Sequence, residues 1–365
     1  MDLSKAFDSI SHSHLLQKLS NLGLHRSSVE WIESYLQSRK QITSFKEVTS
    51  DESEVTSGVP QGSILGPILF LCFTNDLSSA FPTEKIVSYA DDSQFIVTGT
   101  TVDEVKRKLE KIIQEAEEWY KANSLMSNHS KTEVLFFTPG KKNKIKTITI
   151  LENGKAIELE VSESLKILGV LIDRNLTWNE HTTKLRNKTI GIVKHLHRVN
   201  KLLPMKLKLQ LYDCLVASHF NYADIIWAGC SSANKTKLQV VQNFALKSIL
   251  GMRKFDSATE ARKKLKYLTL DHKRKIHEGV FAHKVISGKM PKNITEEYKK
   301  LKSYGSNRSA VKGNLKIPKH RTTKFQNSVL YRSVKTWNET AATWRNETTP
   351  VFKKKLQASY TSAII

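Results

Sequence analysis

Carboxylates are the first residues in this sequence whose types and spacing could do chemistry. Asp2 and Asp8 bracket the opening segment Asp2-Leu3-Ser4-Lys5-Ala6-Phe7-Asp8, and Asp91 and Asp92 stand together in Tyr89-Ala90-Asp91-Asp92. Between them lies a run punctuated by glycine and proline, Ser57-Gly58-Val59-Pro60-Gln61-Gly62-Ser63-Ile64-Leu65-Gly66-Pro67. Converging carboxylates can hold two divalent ions roughly 3.5–4 Å apart, which activates a hydroxyl and steadies a triphosphate as it loses pyrophosphate. Each segment alone also fits something plainer. The first could be an ordinary helix start with Asp2 placed for the dipole. The second could be a turn and the third a solvated hairpin tip.

Asp2 and Asp91 are far apart in sequence, so only the fold can join them. Neighbouring strands of one sheet would do it, with Asp2 at the end of one strand and Asp91 at the tip of a hairpin. Ile86–Tyr89 and Gln94–Thr98 are β-rich runs separated by Ala90, Asp91, Asp92 and Ser93, which reads as that hairpin. The flanking sequence is helical. His14–Leu24 carries Leu15, Leu16, Leu19 and Leu22 on one stripe. Ser27 or Ser28 can cap a second helix bearing Val29, Trp31, Ile32, Tyr35 and Leu36. Thr101 opens a long helix to about Asn123. Glu133–Thr138, Lys146–Ile150 and Lys166–Asp173, with Gly169 in its middle, read as further strands.

From Thr177 the pattern turns helical and lysine-rich, over Leu185–Leu203, Lys206–His219 and Ala233–Ile249. Ser303–Lys324 reads as a polar, basic loop region, followed by a stretch holding Phe325, Tyr331, Trp337, Trp344 and Phe352. Trp337, Trp344 and Tyr331 suit core packing, with base stacking as the alternative. The fold class expected is α+β. A mixed unit over 1–175 is followed by helical regions over 176–255 and 256–365.

Charge is divided unevenly. The chain has 365 residues and a net charge of +23, yet residues 1–100 hold 7 basic and 12 acidic residues, a net of −5. The remaining 265 hold 51 basic and 23 acidic residues, a net of +28. A segment this basic attracts polyanions, phosphate backbones above all. An acidic segment beside a basic one suits a metal-dependent polymerase or nuclease, which needs carboxylates for cations and lysines for nucleic acid. The longest apolar run, Ile64–Phe73, is too short to span a membrane, and no signal-like region follows Met1. Three scattered cysteines, Cys72, Cys214 and Cys230, make neither a disulfide framework nor a zinc motif. These features point away from a secreted, membrane-spanning or zinc-finger protein and towards an intracellular one, nuclear or cytoplasmic.

Taken in order, the three segments resemble the first three palm motifs of reverse transcriptases, in detail those of non-LTR (LINE-type, jockey-like) retrotransposons. Asn128–Phe137 (NHSKTEVLFF) is similar to the fourth motif and Leu165–Asp173 (LKILGVLID) to the fifth, the strand that grips the primer. Leu215–Gly229 (LVASHFNYADIIWAG) looks like the region downstream. The resemblance implies a polymerase palm, an antiparallel sheet with packed helices, followed by a helical thumb and a basic C-terminal region. It implies RNA-directed DNA synthesis with two Mg²⁺ ions, Mn²⁺ being an alternative, on an RNA template, a DNA primer and deoxynucleoside triphosphates.

The resemblance also implies residue roles. Asp2 and Asp91 are the bridging metal ligands, Asp92 the third carboxylate, and the Leu3 carbonyl a further ligand. Phe7 matches the gate beneath the incoming sugar, though a core aromatic reads equally well. Gln61 and Gly62 match the loop that touches nucleotide and template. Lys131 matches a proton donor or charge partner for pyrophosphate, or is one surface lysine among many. Tyr89, Leu168 and Gly169 match primer-positioning residues. Asp8 reads as structural, paired with a basic group or capping the next helix. The sequence departs from the family where the apolar strand and the basic fingers should precede Asp2, and no endonuclease segment is recognised. The expectation is that Asp2 sits on a frayed terminus and that the chain is a weak polymerase or a non-catalytic nucleic-acid-binding remnant of an element. A nuclease built on the same carboxylates lacks a convincing general base.

Overall fold

Residues 1–138, 145–152, 155–302 and 313–362 are described by the structure, a computed structural model. The chain divides into two units, residues 1–165 and 166–365. This division falls ahead of the one read near residue 175, and residues 176–255 and 256–365 share the second unit. Part of the loop read over Ser303–Lys324 lies outside the described residues.

In chain order the first unit holds β1 (Leu3–Ser4), α1 (His12–Asn21), α2 (Arg26–Leu36), β2 (Lys40–Gln41), β3 (Ser44–Phe45), β4 (Val48–Thr49) and β5 (Ser53–Glu54). Then follow α3 (Leu65–Thr74), α4 (Leu77–Ala80), β6 (Lys85–Tyr89), β7 (Asp92–Ile96), α5 (Val102–Ala122), β8 (Met126–Ser127), β9 (Thr147–Glu152) and β10 (Lys155–Glu160). Ser11 caps α1 by accepting from His14 N, so the helix starts ahead of its apolar stripe. His25, not Ser27 or Ser28, caps α2: its ring nitrogen accepts from Ser27 N at 3.3 Å. Thr101 caps α5 by accepting from Glu104 N, a bond that contributes about 1 kcal/mol.

α5 stands between two apolar clusters. Ile112, Ala116 and Tyr120 pack with Leu15, Leu19, Phe70 and Phe73, whereas Ile113 packs with Val134, Phe136, Ile148, Ile150 and Leu159. Glu133–Thr138 is not a strand. Val134 and Phe136 point inward with the alternation expected, but the segment makes only an isolated bridge, Val134 to Val161. The strands pair two by two rather than in one sheet: β1 with β8, β2 with β5, β3 with β4, β6 with β7, and β9 with β10. β1 is short because Lys5 turns the chain at a φ of 48°.

The hairpin β11 (Ser164–Ile167) and β12 (Val170–Asp173) leads into the second unit. The run Lys166–Asp173 is therefore not a single strand. Leu168 and Gly169 form the turn with φ values of 44° and 85°, as the primed turns of tight hairpins require. A leucine in that region costs about 1–2 kcal/mol, which only surrounding contacts can hold in place. The Asp173 carboxylate closes the following turn, accepting from Asn175 N at 3.1 Å, Thr177 N at 3.0 Å and Trp178 N at 2.7 Å.

Helices follow: α6 (Asn179–Val199), α7 (Met205–Tyr212), a π turn over Asp213–Ala217, α8 (Ser218–Asn221), α9 (Asp224–Trp227), α10 (Ser232–Ile249), α11 (Ala258–Leu265), α12 (Leu270–Ile286) and α13 (Lys292–Lys299). The helix read over Lys206–His219 is thus continuous in direction but widened by the π turn. Trp227 is fully buried with Val193, Leu238 and Leu246. Helices Val329–Glu339 and Thr349–Ser362 pack on α12, with Trp337 and Phe352 in that core. Trp337 therefore serves packing, and Trp344 lies against the same cluster. No helix among the described residues is long and apolar enough to cross a membrane.

Candidate active site

The two ends of the acidic constellation meet through backbone pairing. Met1 N donates to Ser93 O at 2.7 Å and Ser93 N donates to Met1 O at 3.2 Å, the reciprocal exchange of an antiparallel ladder. On its other edge this segment is held by β8: Asn128 N donates to Asp2 O at 2.9 Å and Leu3 pairs with Ser127. Met1 is thus tied to Ser93 and Asp2 to Asn128 rather than frayed. Asp2 and Asp92 both lie near enough to the Met1 ammonium for their charges to act on it, and Asp92 is opposite Tyr89 across the hairpin. Opposed residues share a face. Ser93 is buried and Met1 packs in the core, whereas Asp92 and Tyr89 are exposed and Asp2 is partly buried.

Asp91 sits in the hairpin turn beside Ala90, whose φ is 52°. The Met1 ammonium reports the neighbourhood. Burial holds it below its ordinary range, and the charges of Asp2 first and Asp92 next oppose that shift. Asp2 Oδ2 is buried without a hydrogen-bond partner, and Lys131 Nζ lies 3.6 Å from it as a charge neighbour. Tyr120 is buried, and burial pushes its phenol up to about 12.

A cation fits this place in kind. The donors are carboxylate oxygens, which suit Mg²⁺, and Asp2 offers an oxygen that no hydrogen bond uses. Among the described residues, however, no three His, Cys, Asp or Glu side chains gather as a metal centre. The Leu3 side chain is buried in the core, leaving only its backbone to face a ligand.

The segment after β1 is stitched to the Gly/Pro loop. Val59 N donates to Phe7 O at 2.8 Å, Gly58 N to Ile10 O at 2.8 Å, and Ser57 Oγ to Asp8 O at 3.0 Å. A side chain at Gly58 would meet the Asp8 backbone at 2.7 Å, and the φ of 85° there also demands glycine. Among the described residues Asp8 neither pairs with a basic group nor caps α1; its Oδ1 accepts from Gln61 Nε2 at 2.8 Å. Gln61 is exposed, and Gly62, with a φ of 81°, has open space around it. Phe7 is half-buried and stacks on buried Phe70 with centroids 4.6 Å apart.

Leu168 and Gly169 lie in the second unit, on the β11–β12 turn, where Leu168 is exposed. That unit also repeats the tripeptide of the acidic hairpin as Tyr222-Ala223-Asp224, with Ala223 again at positive φ, 48°. Asp224 is nonetheless buried against His277 Nδ1 at 2.7 Å, so it is a structural carboxylate. Ser93 and Asn128, which clamp the ends of the acidic segment, are missed by reading carboxylates alone. The alternation of exposed Asp92 with buried Ser93 is the signal that would have marked Ser93.

Residues 1–172 match the family described as reverse transcriptase (RNA-dependent DNA polymerase). The chain is 25% identical over 296 residues to the probable RNA-directed DNA polymerase from transposon X-element of Drosophila melanogaster, covering 78% of this chain and 32% of that protein. It is 29% identical over 261 residues to the RNA-directed DNA polymerase from mobile element jockey of Drosophila funebris, covering 69% and 28%. A third relative, the probable RNA-directed DNA polymerase from transposon BS of Drosophila melanogaster, is 27% identical over 259 residues, covering 68% and 28%. The chain spans about a third of the length of the curated relatives it matches.

Proposed function

Since residues 1–172 belong to the reverse transcriptase family and the chain is of the LINE type, we propose that it supplies the palm and thumb of an RNA-directed DNA polymerase. The observation that supports this most is the Met1–Ser93 exchange, which joins the segment carrying Asp2 to the hairpin carrying Asp91 and Asp92. Asp2, Asp91 and Asp92, with the Leu3 carbonyl, would hold two Mg²⁺ ions. Bound there, the ions supply Lewis-acid stabilisation of the charge that develops as the primer 3′-hydroxyl attacks and diphosphate leaves.

The chain's own residues do the rest. Lys131, whose Nζ lies 3.6 Å from Asp2, would offer a charge partner to the departing diphosphate. Phe7, braced by Phe70, lies under the sugar and leaves no room for a 2′-hydroxyl. Gln61, oriented by Asp8, and Gly62, which has open space, let the loop backbone approach nucleotide and template. Tyr89 stands across from Asp92 to seat the primer end, and the Leu168–Gly169 turn grips the primer strand. The basic residues beyond residue 100 hold the RNA–DNA duplex without reading its sequence.

A second reading, a non-catalytic nucleic-acid-binding remnant, is favoured by one observation. No three metal-ligating side chains gather among the described residues. Primer extension on an RNA template with Mg²⁺ and deoxynucleoside triphosphates separates the readings. The polymerase reading expects extension that Asp92→Asn lowers by at least ~100-fold, equivalent to about 2.7 kcal/mol. Duplex binding without any extension would leave only the second.

A further inference from the structure

We propose that Tyr222 is a positioning residue for the primer strand, acting through the Leu168–Gly169 turn; this rests on the polymerase reading above. Tyr222 Oη donates to Leu168 O at 2.6 Å. Its ring lies against the glycine: a Cβ built on Gly169 would stand 3.5 Å from Tyr222 Cε1. One side chain thus contacts both residues of a turn whose φ values are positive at both positions, one of them a leucine. Leu168 and Tyr222 are 42% and 55% exposed, so the turn is not held by burial in a core. Strain of this kind persists only where neighbours over-determine it.

Tyr222 is itself fixed from the interior outward. Its N–H donates to Ser218 O at 3.1 Å, ending α8. Its carbonyl accepts from Trp227 Nε1 at 3.1 Å, and Trp227 is fully buried. The buried Arg274 guanidinium lies 4.7 Å from the centre of the Trp227 ring and has no hydrogen-bond partner among the described residues. Ala223 then turns the chain at a φ of 48° to start α9. The hydroxyl of Tyr222 therefore arrives at the turn from a rigid support, and it leaves the Leu168 side chain presented to solvent. An exposed apolar side chain held in a strained turn by an aromatic hydroxyl suits contact with a primer sugar or base better than it suits stability.

The test compares the full 365-residue chain with Tyr222→Phe, which keeps the ring and removes only the hydroxyl, and with Leu168→Ala. Fluorescence anisotropy reads binding to a DNA primer recessed on a longer RNA template and to a blunt RNA–DNA duplex of equal paired length. Wild type is expected to prefer the recessed end. Tyr222→Phe is expected to lose about fivefold of that preference, the worth of one neutral hydrogen bond, with blunt-duplex affinity and melting temperature unchanged. Leu168→Ala, which leaves Tyr222 in place, is expected to lose a similar share. A wild-type preference retained by both variants overturns the role of Tyr222 while leaving the polymerase reading intact. An equal loss on both duplexes overturns it too, since it marks a merely structural residue. A wild-type chain that does not distinguish the two ends overturns the primer contact itself, and the proposal with it.

Discussion

Met1 and Ser93 exchange both backbone hydrogen bonds, at 2.7 and 3.2 Å, and this pairing joins the Asp2 segment to the Asp91–Asp92 hairpin across a long sequence interval. The two-residue β1 that follows pairs with β8. A strand this short gains little from its own ladder. It is held instead by the buried neighbours Leu3, Ala6 and Ile10 and by the loop bonds that follow.

Those loop bonds give a stability contrast between two glycines. Gly58→Ala places a methyl 2.7 Å from the Asp8 backbone and strains a φ of 85°, whereas Gly62→Ala strains a φ of 81° with open space around it. Gly58→Ala is expected to destabilise by about 3 kcal/mol and Gly62→Ala by about 1 kcal/mol. Urea unfolding of both variants checks the contrast, and equal losses would mean that loop and strand are not packed as described.

Salt dependence follows from the charge of the chain beyond residue 100. If four phosphates are neutralised, affinity for an RNA–DNA duplex falls about 150-fold between 50 and 200 mM salt. Anisotropy titrations at several salt concentrations give the slope directly. A slope near zero would rule out backbone contacts as the source of binding.

Acid should loosen the second unit. Burial lowers His181, His272 and His283 from their ordinary value of 6.5, and His181 Nδ1 accepts from Leu171 N, which requires that nitrogen unprotonated. Between the lowered folded values and 6.5 the unfolded chain binds more protons, so stability rises with pH there. This stabilisation is complete above about 6.5 and is lost as pH falls through the folded values. Glu278 works oppositely: burial raises it above 4.5, so its contribution declines as pH rises through its folded value. The urea midpoint is expected to drop between pH 7.5 and 5.5, and His181→Gln to shrink the drop. A midpoint unchanged between those pH values would contradict the burial of neutral histidines.

What could be read from residue order was what local physics decides. Thr101 and the stripe behind it define α5, and Ala90-Asp91 closes a hairpin that alternation on either side predicts. Caps were less legible, because His25 competes with Ser27 and Ser28 for the start of α2. The Lys166–Asp173 run reads as one strand since all its residues but Gly169 favour extension; the reversal at Leu168 depends on Tyr222, far away in sequence. Asp8 looked like a cap or an ion-pair partner because its real partner, Gln61, is brought by the fold. The convergence of Asp2 with the Asp91–Asp92 hairpin is expected from their chemistry, but its means is not, since it rests on a buried serine with no chemistry of its own.

The most direct measurement is Mg²⁺-dependent addition of one deoxynucleotide to a DNA primer on an RNA template, by the wild-type chain and by Asp91→Asn, with duplex affinity measured in parallel. The account predicts templated addition by wild type, a loss of at least ~100-fold in the variant, and affinity unchanged within about twofold, since Asp91 lies in a turn and not in the basic surface. Addition absent from wild type, or equal in the two proteins, would contradict it.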